Sequence, residues 1–464
     1  MSWKMHKENM NSTRIIKPVK KIPGSVHPPY KKELARNAPI KNVSSMEAHF
    51  HISMSQHLGA PAKPIVKKGD TVLRGQKIGE ASGFISANVH SPVTGKVIDI
   101  NEEQTLSGAY ASSIIVEASD SEKWGVLMPE LDWESASPQQ IITRVADGGI
   151  TGMGGAGFPT HVKLSPPKEK AIDTVIINGA ECEPYLTADF RLMLEEPENI
   201  KNGALIIRKT LNAKRVIIAI EDNKPEAIRV MEEALKNCDE NVFIAVLPTA
   251  YPHGAEKQLI YALTGREVPS GGLPMDVGAL VENVGTAAAI FNAVAKGIPL
   301  VERIVTVTGE AVAIPLNLRV KIGTSFAALL NVCGGTKSKS TKLIAGGPMM
   351  GITQTSINSS YTTKTTSGLL LLPDNMISTY SSDPCISCGR CVEACPMHLM
   401  PCELSILLEA EDITGAEALN VLDCIECGCC AYSCPSHRPL VQHMRAGKAA
   451  IMLKRKQQKN TEKK

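Results

Sequence analysis

The chain is organised around two cysteine motifs, Cys385-x2-Cys388-x2-Cys391-x3-Cys395-Pro396 and Cys424-x2-Cys427-x2-Cys430-x3-Cys434-Pro435. Two copies of C-x2-C-x2-C-x3-C-P are the ligand pattern of a pair of [4Fe–4S] clusters, in which the fourth cysteine of each copy normally ligates the other cluster. The spacing therefore predicts two ligand sets, which are Cys385, Cys388, Cys391 and Cys434 for cluster 1, and Cys424, Cys427, Cys430 and Cys395 for cluster 2.

Structural zinc is the main alternative for these motifs, because C-x2-C pairs also form tetrahedral zinc sites. Zinc needs four ligands per site and gains nothing from a repeated arrangement of three close cysteines plus one distant cysteine. The pattern therefore favours clusters. Cys429 lies beside Cys430, which permits a register slip in the second motif, but only Cys430 keeps the spacing of the first motif.

Length and composition indicate a multidomain globular chain. At 464 residues the chain exceeds one ordinary core, so we expect two to four domains. A hydrophobic fraction of 43% with 21% charged residues is typical of globular proteins. A net charge of +3 and an aromatic content of 4% give no case for nucleic-acid binding.

The sequence predicts a cytoplasmic protein. The N-terminus has no signal-peptide pattern, and no apolar run approaches the ~18 residues of a transmembrane helix. Five cysteines outside the ligand sets have no framework spacing and are expected to be reduced thiols, namely Cys182, Cys238, Cys333, Cys402 and Cys429. We therefore expect any link to the membrane to be indirect, through partner proteins, or to be a contact at the protein surface.

The N-terminal part of the chain contains two kinds of segment. Residues 1–45 are polar and basic, and the proline-rich stretch 23–30 resists helix and strand alike, so we expect an extended arm. Residues 46–118 predict short strands, and the segments 66–76 and 91–98 resemble the two halves of a lipoyl- or biotinyl-type barrel-sandwich. Residues 79–90 hold no lysine, so a structural or docking module is favoured over a swinging-arm carrier.

The middle of the chain predicts an α/β domain. Strand-like runs alternate with helix-like runs, as in βαβ units with a mostly parallel sheet; the strands are 174–177, 215–220 and 242–247, and the helices are 200–211, 225–237 and 256–263. Ligands of such sheets bind at the carboxyl ends of the strands. Asn178, Glu181 and Glu183 follow the first of these strands, and Gly254 and Glu256 follow the third.

A glycine-rich segment, Gly152-Met153-Gly154-Gly155-Ala156-Gly157-Phe158-Pro159, precedes this sheet. It contains G-x-G-x-x-G, but the Rossmann fingerprint needs a strand before it and a helix after it. Here a predicted helix at 138–147 precedes the glycines, and Phe-Pro follows them. We therefore predict a ligand-contacting loop whose backbone lies against a ring or a phosphate.

The C-terminal part predicts a β-rich segment at 301–372, a helical pattern at 405–422 between the cysteine motifs, and a basic tail. The stretch 445–464 holds eight Lys or Arg residues and one acid. A solvated terminus is favoured over an anchor to an anionic partner or membrane surface, because residues 451–453 give only a small apolar face.

Several motifs together resemble the flavin/NADH pocket of the NADH-binding flavoprotein subunit of respiratory complex I. They are the glycine-rich loop with Lys163, Asn178-Gly179-Ala180-Glu181-Cys182-Glu183-Pro184, Gly254-Ala255-Glu256 and Glu282-Asn283-Val284-Gly285-Thr286. Over nearly the whole chain, the order of modules resembles the C subunit of the Rnf complex, an ion-translocating ferredoxin:NAD oxidoreductase.

The resemblance implies a multidomain α/β and α+β chain. Its parts are an N-terminal arm (1–45), a lipoyl-like barrel-sandwich hybrid (46–118), a Rossmann-like complex I flavoprotein-type α/β domain that binds FMN and NADH (119–300), a β-grasp SLBB-like module (301–375), a helical dicluster [4Fe–4S] ferredoxin domain (376–440) and a basic tail (441–464).

The resemblance also assigns site residues. Contacts to non-covalent FMN and its phosphate fall on Gly152, Gly154, Gly155, Gly157, Phe158, Lys163, Asn178, Gly254, Asn283 and Thr286. The predicted catalytic acids near flavin and nicotinamide nucleotide are Glu181, Glu183 and Glu256. Carboxylates would repel a 2′-phosphate, which favours NAD over NADP. The chain departs from the family at Ala255, where a glutamate is usual, and at Leu164, where a tryptophan is usual.

The implied function is that of a peripheral subunit at the cytoplasmic face of the cell membrane. It would exchange hydride between NAD(H), its substrate, and FMN, and single electrons with two [4Fe–4S] clusters. The implied partners are other Rnf subunits, including a ferredoxin-like iron–sulfur subunit and integral membrane subunits. The alternative is a soluble adaptor that passes electrons from NADH to a cytosolic reductase.

Overall fold

The structure of the chain is a computed structural model that describes residues 14–43, 47–121, 123–339, 341–377, 379–381 and 383–462. The outer ends of the predicted arm (1–13) and of the basic tail (463–464) lie outside these residues. The domain boundaries that the family resemblance implies stay a proposal.

The arm contributes short strands to two different sheets. Its strands are β1 (Ile15–Ile16) and β2 (Ile40–Asn42), with a 3-10 turn at Lys32–Leu34 between them. Strands of two or three residues carry no periodic sequence pattern. They form because the edge of an existing sheet presents unpaired N–H and C=O groups.

The barrel-sandwich module consists of antiparallel strands: β3 (His49–Ser53), β4 (Lys63–Pro64), β5 (Thr71–Val72), β6 (Lys77–Glu80), β7 (Val89–His90), β8 (Gly95–Gln104) and β9 (Tyr110–Ala118). One sheet has the order β3-β9-β8-β5 and the other β4-β6-β7. Alternate residues of β3, Phe50 and Ile52, are buried in a core shared with Val72, Ile78 and Val97.

The central domain alternates helices and strands as predicted: α1 (Pro138–Asp147), α2 (Thr160–Lys163), β10 (Thr174–Gly179), α3 (Ala188–Glu195), α4 (Pro197–Leu211), β11 (Arg215–Glu221), α5 (Pro225–Ala234), β12 (Val242–Leu247), α6 (Glu256–Thr264), β13 (Ala279–Asn283) and α7 (Val284–Lys296). A 3-10 turn at Pro274–Val277 precedes β13. The strands pair in parallel in the order β1-β12-β11-β10-β13.

Both faces of this sheet are covered, which explains the continuous apolar runs of its strands. Within β11, Val216 and Ile218 face the core with α1, α4, α5 and α7, whereas Ile217 and Ala219 face the core with α6. Helix α1 has the predicted bounds because Ser137 and Gln140 form a capping box at its start. The carboxyl ends of β10, β11, β12 and β13 therefore share one edge of the sheet.

The β-grasp module follows with β14 (Glu302–Thr308), β15 (Leu316–Lys321), α8 (Phe326–Val332), β16 (Thr341–Ala345), β17 (Ile352–Gln354) and β18 (Gly368–Pro373), ending in a 3-10 turn at Asp374–Met376. Its sheet has the order β17-β16-β18-β14-β15-β2, so the arm supplies one edge. Helix α8 packs on this sheet through Phe326 and Leu329.

The cysteine domain consists of α9 (Arg390–Glu393), α10 (Pro401–Glu409), α11 (Ile413–Ala418), α12 (Cys429–Ser433) and α13 (Leu440–Glu462), with a 3-10 turn at Val421–Asp423. The predicted helical pattern at 405–422 corresponds to parts of α10, to α11 and to this 3-10 turn rather than to one continuous helix. The chain turns at Glu411, which has a φ of +58°, and Asp412 then caps α11 by accepting from the Gly415 N–H.

The basic tail is the expected solvated terminus only in part, because residues 452–458 are exposed but the beginning of the tail is packed. The tail forms most of helix α13. Met444 and Ile451 of this helix are buried against Leu404 and Ala416 of the cysteine domain. The beginning of the tail is therefore held by apolar packing. Among the residues that the structure describes, no helix is both long enough and apolar enough to cross a bilayer.

Candidate functional site

Two cavities in the cysteine domain are lined by the motif cysteines. Four of the thiols at the cluster 1 cavity are Cys385, Cys388, Cys391 and Cys434. Four of those at the cluster 2 cavity are Cys395, Cys424, Cys427 and Cys430. The structure thus brings together the same two sets that the spacing predicts, including the exchange of the fourth cysteine between the motifs.

Both cavities offer the cysteine thiols that a [4Fe–4S] cluster takes as ligands. In the described part of the chain, no three His, Cys, Asp or Glu side chains converge closely enough for one metal ion. Zinc would need its thiolates ~2.3 Å from one centre. Backbone N–H groups point instead at individual sulfurs, because Ser387 donates to Cys385 Sγ and Glu426 to Cys424 Sγ, both at 3.4 Å. Such donors stabilise a negatively charged thiolate-bound cluster.

Each motif turns sharply between its second and third cysteine. Gly389 and Gly428 have φ values of +75° and +85° and lie at the N-termini of α9 and α12. A side chain would be strained in this backbone conformation. The turn brings the third cysteine of each motif back to the cavity that the first two line.

The two cavities lie at different depths. Cys388 of the cluster 1 set is exposed, whereas Cys427 and Cys430 of the cluster 2 set are buried. The cluster 1 cavity therefore lies near the surface. Cys427 packs with Val26 of the arm and Tyr251 of the central domain, so the cluster 2 cavity lies against the rest of the protein.

Hydrogen bonds join the cluster 2 cavity to the central domain. The Tyr251 hydroxyl donates to the Cys427 carbonyl at 2.6 Å, and Gln258 Nε2 of α6 donates to the Pro396 carbonyl at 2.9 Å. The arm also packs here, since a Cβ at Gly24 would lie 2.6 Å from the backbone of Cys395. Both contacts from the central domain come from the segment that follows β12, at the carboxyl edge of the sheet.

Predicted flavin-binding residues meet at that same edge. Asn178 of β10 and Asn283 of β13 are register partners on neighbouring strands. Asn178 Nδ2 donates to the Gly254 carbonyl at 2.8 Å, which joins the ends of β10 and the segment after β12. Asn283 caps α7 through the Gly285 N–H and donates to Asp189 Oδ2 at 2.7 Å.

The glycine-rich loop closes on itself and lies against α7. The Gly152 N–H donates to the Phe158 carbonyl at 2.9 Å, and the Met153 N–H donates to Thr286 Oγ1 at 3.0 Å. A Cβ at Gly155 would meet no atom within 4 Å, so backbone there faces open space. Gly157, by contrast with Gly155, contacts another module, because its carbonyl accepts a hydrogen bond from the Leu58 N–H of the barrel-sandwich module.

Lys163 lies between two carboxylates. Its Nζ donates to Glu256 Oε1 at 3.0 Å and to the Val281 carbonyl at 2.9 Å, and lies 4.0 Å from Glu282 Oε1. Burial alone would lower the pKa of Lys163, but the charges of Glu282 and Glu256 outweigh it and raise the pKa. Lys163 is therefore a fixed cation. Burial raises the pKa of Glu282 to about 7, and within the described part of the chain its Oε1 has no hydrogen-bond partner.

Glu181 is held by backbone groups. Its carboxylate accepts from the Asp189 N–H at 2.7 Å and the Phe190 N–H at 3.3 Å, at the start of α3. Burial raises its pKa to about 7, although Lys32 opposes the shift from 3.9 Å. Its φ of +47° is unusual outside glycine, and such strain is common at functional sites.

Glu183 connects this loop to the β-grasp module. Its carboxylate accepts from the Met349 N–H at 3.1 Å and the Met350 N–H at 2.7 Å, and burial raises its pKa to about 7. A Cβ at Gly428 would lie 2.9 Å from the Met349 carbonyl. The backbone turn at Met349 therefore lies between Glu183 and Gly428, which is part of the second cysteine motif. The catalytic roles of both acids stay predictions.

This edge fits a flavin nucleotide. The open glycine backbone suits a flat ring, and Lys163 supplies a cation for a phosphate. Thr151 Oγ1 and Thr160 Oγ1, which flank the loop, are buried and have no hydrogen-bond partner among the residues that the structure describes.

Several residues that build this site were not predicted from the sequence. Lys32 and Asp189 hold the loop after β10, and Tyr251 and Gln258 join it to cluster 2. Lys32 lies in the arm, and its position gives no periodic signal. Glu282 lies within a motif that carries the resemblance to the complex I flavoprotein, which is the signal that could have marked it.

Family descriptions match the chain in the order of its modules. They are the RnfC Barrel sandwich hybrid domain at residues 20–122, the Nuo51 FMN-binding domain at 145–292, the SLBB domain at 304–353 and the 4Fe-4S dicluster domain at 377–435. The predicted fold class and the predicted FMN and [4Fe–4S] cofactors are confirmed. The fold and the site define a flavin- and iron–sulfur-containing oxidoreductase subunit.

Relatives narrow this class to one family. The chain is 46% identical to the C subunit of the proton-translocating ferredoxin:NAD(+) oxidoreductase complex of Clostridium ljungdahlii, over 92% of this chain and 93% of the relative. It is 44% identical to the Na(+)-translocating counterpart of Acetobacterium woodii, over 93% and 97%. It is 43% identical to the C subunit of the ion-translocating oxidoreductase complex of Rhodobacter capsulatus, over 93% and 83%. The chain belongs to the family of C subunits of ion-translocating ferredoxin:NAD(+) oxidoreductase (Rnf) complexes.

A solved structure also matches. A chain of an NAD+-reducing [NiFe]-hydrogenase in the H2-reduced state is 19% identical, with a TM-score of 0.47, over 68% of this chain and 64% of that chain.

Proposed function

We propose that this chain is a peripheral subunit at the cytoplasmic face of the membrane that carries electrons between NAD(H) and the ferredoxin side of an Rnf complex. FMN, when bound, supplies hydride exchange with NAD(H) and single-electron exchange with the clusters. The observation that carries the proposal is the contact between the cluster 2 cavity and the carboxyl edge of the central sheet, where Tyr251 meets Cys427 at 2.6 Å.

In this proposal the residues at the sheet edge bind and orient the nucleotides. The glycine-rich loop, from Gly152 to Phe158, would hold the flavin ring together with Asn178, Gly254, Asn283 and Thr286. Lys163 stays protonated and would supply the cation for the flavin phosphate. The N-termini of α6 and α7 lie at the same edge, so their unpaired N–H groups add positive potential for phosphate groups.

The three predicted catalytic acids orient the nicotinamide nucleotide. Glu256 begins α6 and contacts Lys163 at 3.0 Å. Glu181 and Glu183 have pKa values raised to about 7 by burial, so they exchange a proton near neutral pH. A carboxyl group in this range both accepts and donates hydrogen bonds to ribose or carboxamide groups.

The depth of the cavities sets the proposed order of electron flow. The cluster 2 cavity lies against the central domain, so its cysteines would hold the cluster that exchanges electrons there. The cluster 1 cavity, with the exposed Cys388, would face the partner proteins. We propose that these include a ferredoxin-like iron–sulfur subunit, which in turn contacts integral membrane subunits, so that membrane contact is indirect.

An anaerobic NADH titration of the FMN- and cluster-loaded chain tests the proposal. Flavin and cluster absorbance are followed together, and both should bleach. Lys163→Met and Glu181→Gln should impair NADH oxidation without changing iron content, whereas Lys168→Met, at an exposed position, should not. Wild-type turnover in both site variants, or clusters that stay oxidised, would contradict the proposed path.

Association separates the proposal from the soluble adaptor. Copurification with integral membrane proteins is expected for an Rnf subunit. Recovery only as a freely soluble complex with a cytosolic reductase would favour the adaptor instead.

A further inference from the structure

The glycine-rich loop lies against the barrel-sandwich module at its base. The Leu58 N–H donates to the Gly157 carbonyl at 3.2 Å, so the end of the loop is bonded to the segment that follows β3. Just before the loop begins, a Cβ at Gly149 would lie 2.3 Å from the Asn88 carbonyl oxygen. The tip of the loop, residues 154–156, is exposed. The module therefore contacts the chain on both sides of the loop and leaves its tip free.

Lys364 of the β-grasp module joins these contacts. Its Nζ donates to the Asn88 carbonyl at 2.6 Å and to the Gly149 carbonyl at 2.7 Å. Its backbone N–H donates to Gln56 Oε1 at 3.0 Å, in the same segment as Leu58. One residue therefore bonds the β-grasp and barrel-sandwich modules to the central domain where the chain enters the glycine-rich loop.

General stability does not account for a lysine at this position. Lys364 is 0% exposed, and among the residues that the structure describes no carboxylate forms an ion pair with it. Burial lowers the pKa of Lys364 to about 7, so the charged form is disfavoured here. An apolar side chain would fill the space without the cost of desolvating an amine. The lysine is explained instead by two buried carbonyl groups from different modules that share one donor.

The hairpin between β6 and β7 forms the other side of this contact. It lies within residues 79–90, whose lack of lysine argues against a swinging-arm carrier. Asn88 Nδ2 donates to the Ala146 carbonyl of α1 at 3.2 Å. The Ala87 N–H donates to His57 Nε2 at 3.0 Å, which bonds the hairpin to the segment after β3. The hairpin and this segment therefore contact the base of the loop as one unit.

The modules approach each other so closely that only glycine fits at both contact points. Gly149 and Gly157 have φ values of +64° and +69°, a conformation that favours glycine. A Cβ at Gly157 would lie 2.6 Å from Thr365 Cγ2 and 3.3 Å from the Gln56 carbonyl oxygen. These two glycines therefore permit contact between modules, whereas the glycines at the tip face open space.

Fixing the base of a glycine-rich loop affects what the loop binds. Glycine has more backbone freedom than other residues, so ordering such a loop around a ligand carries a large entropy loss. A loop whose ends are already held loses less freedom on binding, which strengthens binding without any new contact to the ligand.

We propose that Lys364 is a positioning residue for FMN, and that the barrel-sandwich module holds the base of the flavin loop through Asn88, Leu58 and their bonds to Lys364 and the loop. The inference rests on the proposed function, in which the glycine-rich loop binds the flavin. It gives the barrel-sandwich module a task within this chain, which is to keep the flavin loop ordered before FMN binds.

The test has two measurements on the full, cluster-loaded chain without its flavin. FMN binding is titrated by quenching of flavin fluorescence, and amide hydrogen exchange of residues 148–158 is measured before FMN is added. Lys364→Met removes the side-chain donors, and methionine has a similar length. Asn88→Ala weakens the contact of the hairpin with α1 and leaves Lys364 in place. Lys321→Met is the matched control, because Lys321 is another lysine of the β-grasp module and is 7% exposed.

Lys364→Met should weaken FMN binding about tenfold or more, as expected for the loss of a buried hydrogen bond, and should speed up exchange at 148–158. Asn88→Ala should change both quantities in the same direction. Excess FMN should restore flavin occupancy in both variants, which a general folding defect would not allow. Below its melting transition, Lys321→Met should match the wild type in both measurements.

Wild-type FMN affinity in both Lys364→Met and Asn88→Ala would overturn the proposal. An equal loss of affinity in Lys321→Met would also overturn it, since the effect would then be one of general stability. A wild-type chain that binds no FMN would overturn the proposed flavin site, and this inference with it, so the two failures are distinguishable.

Discussion

Replacing Lys32 with methionine removes three hydrogen bonds that hold the loop after β10. Lys32 Nζ donates to the carbonyl oxygens of Glu181 at 2.8 Å, Glu183 at 2.9 Å and Leu186 at 2.5 Å. The Lys32 side chain is 6% exposed, so water does not replace the lost donors. Methionine has a similar length and fills the space without donating.

The structure sets the size of the effect. A buried acceptor left without its donor costs about 1–3 kcal/mol. Glu181, 3.9 Å from Lys32 Nζ, also loses its cation, but a carboxyl whose pKa is raised to about 7 takes up a proton and limits the loss. We expect a total of about 3–5 kcal/mol, the range for breaking a buried ion pair. At ~2–4 °C per kcal/mol for a domain of this size, the melting transition of the central domain falls by about 10 °C.

The assay is thermal unfolding of the FMN-loaded chain, followed by flavin fluorescence and circular dichroism. Lys31→Met is the matched control, because Lys31 is 38% exposed and its ion pair with Glu310 contributes at most about 1 kcal/mol. If Lys32→Met and Lys31→Met melt together, the three buried bonds do not hold the loop, and the reasoning is refuted.

Three further predictions follow from the same structure. Cys388→Ser should halve the iron content by removing a cluster 1 ligand, measured against Cys238→Ser; full iron would contradict the ligand set. Tyr251→Phe removes the 2.6 Å bond to Cys427, so amide exchange at 424–430 should speed up in keeping with a loss of about 1 kcal/mol, while iron stays complete. Burial raises the pKa of Glu282 from 4.5 to about 7, so the folded chain keeps a proton that the unfolded chain releases and stability falls as pH rises through this window. Glu282→Gln should make this loss of stability with rising pH smaller. An unchanged pH profile of the melting temperature would contradict the raised pKa of Glu282.

The sequence was most informative where the chemistry depends on short spacing. The grouping of Cys385, Cys388 and Cys391 follows from one loop, and the place of Cys434 follows from a general property of the repeated motif. The strand Val242–Leu247 and the helix Pro138–Asp147 were also predicted with their observed bounds, because apolar runs and capping residues act within a few residues.

The sequence was less informative where an element depends on a partner. The helical pattern at 405–422 is interrupted at Glu411, because Asp412 offers the backbone a competing cap. The two arm strands also depend on sheet edges supplied by residues more than 200 positions away. No local pattern records either outcome.

Motif spacing and local periodicity are properties of neighbouring residues, so the sequence alone predicted the family, the module order, the cofactors and the two sets of cysteines that line the cavities. Only the tertiary structure decided the environment of the site. It placed Lys32 beneath Glu181, bonded Glu183 to the β-grasp module, and set cluster 2 against Tyr251. It also placed Cys402 beside Cys391. Burial and hydrogen bonding between residues far apart in the chain set these charges and distances, and they exist only once the modules have packed together.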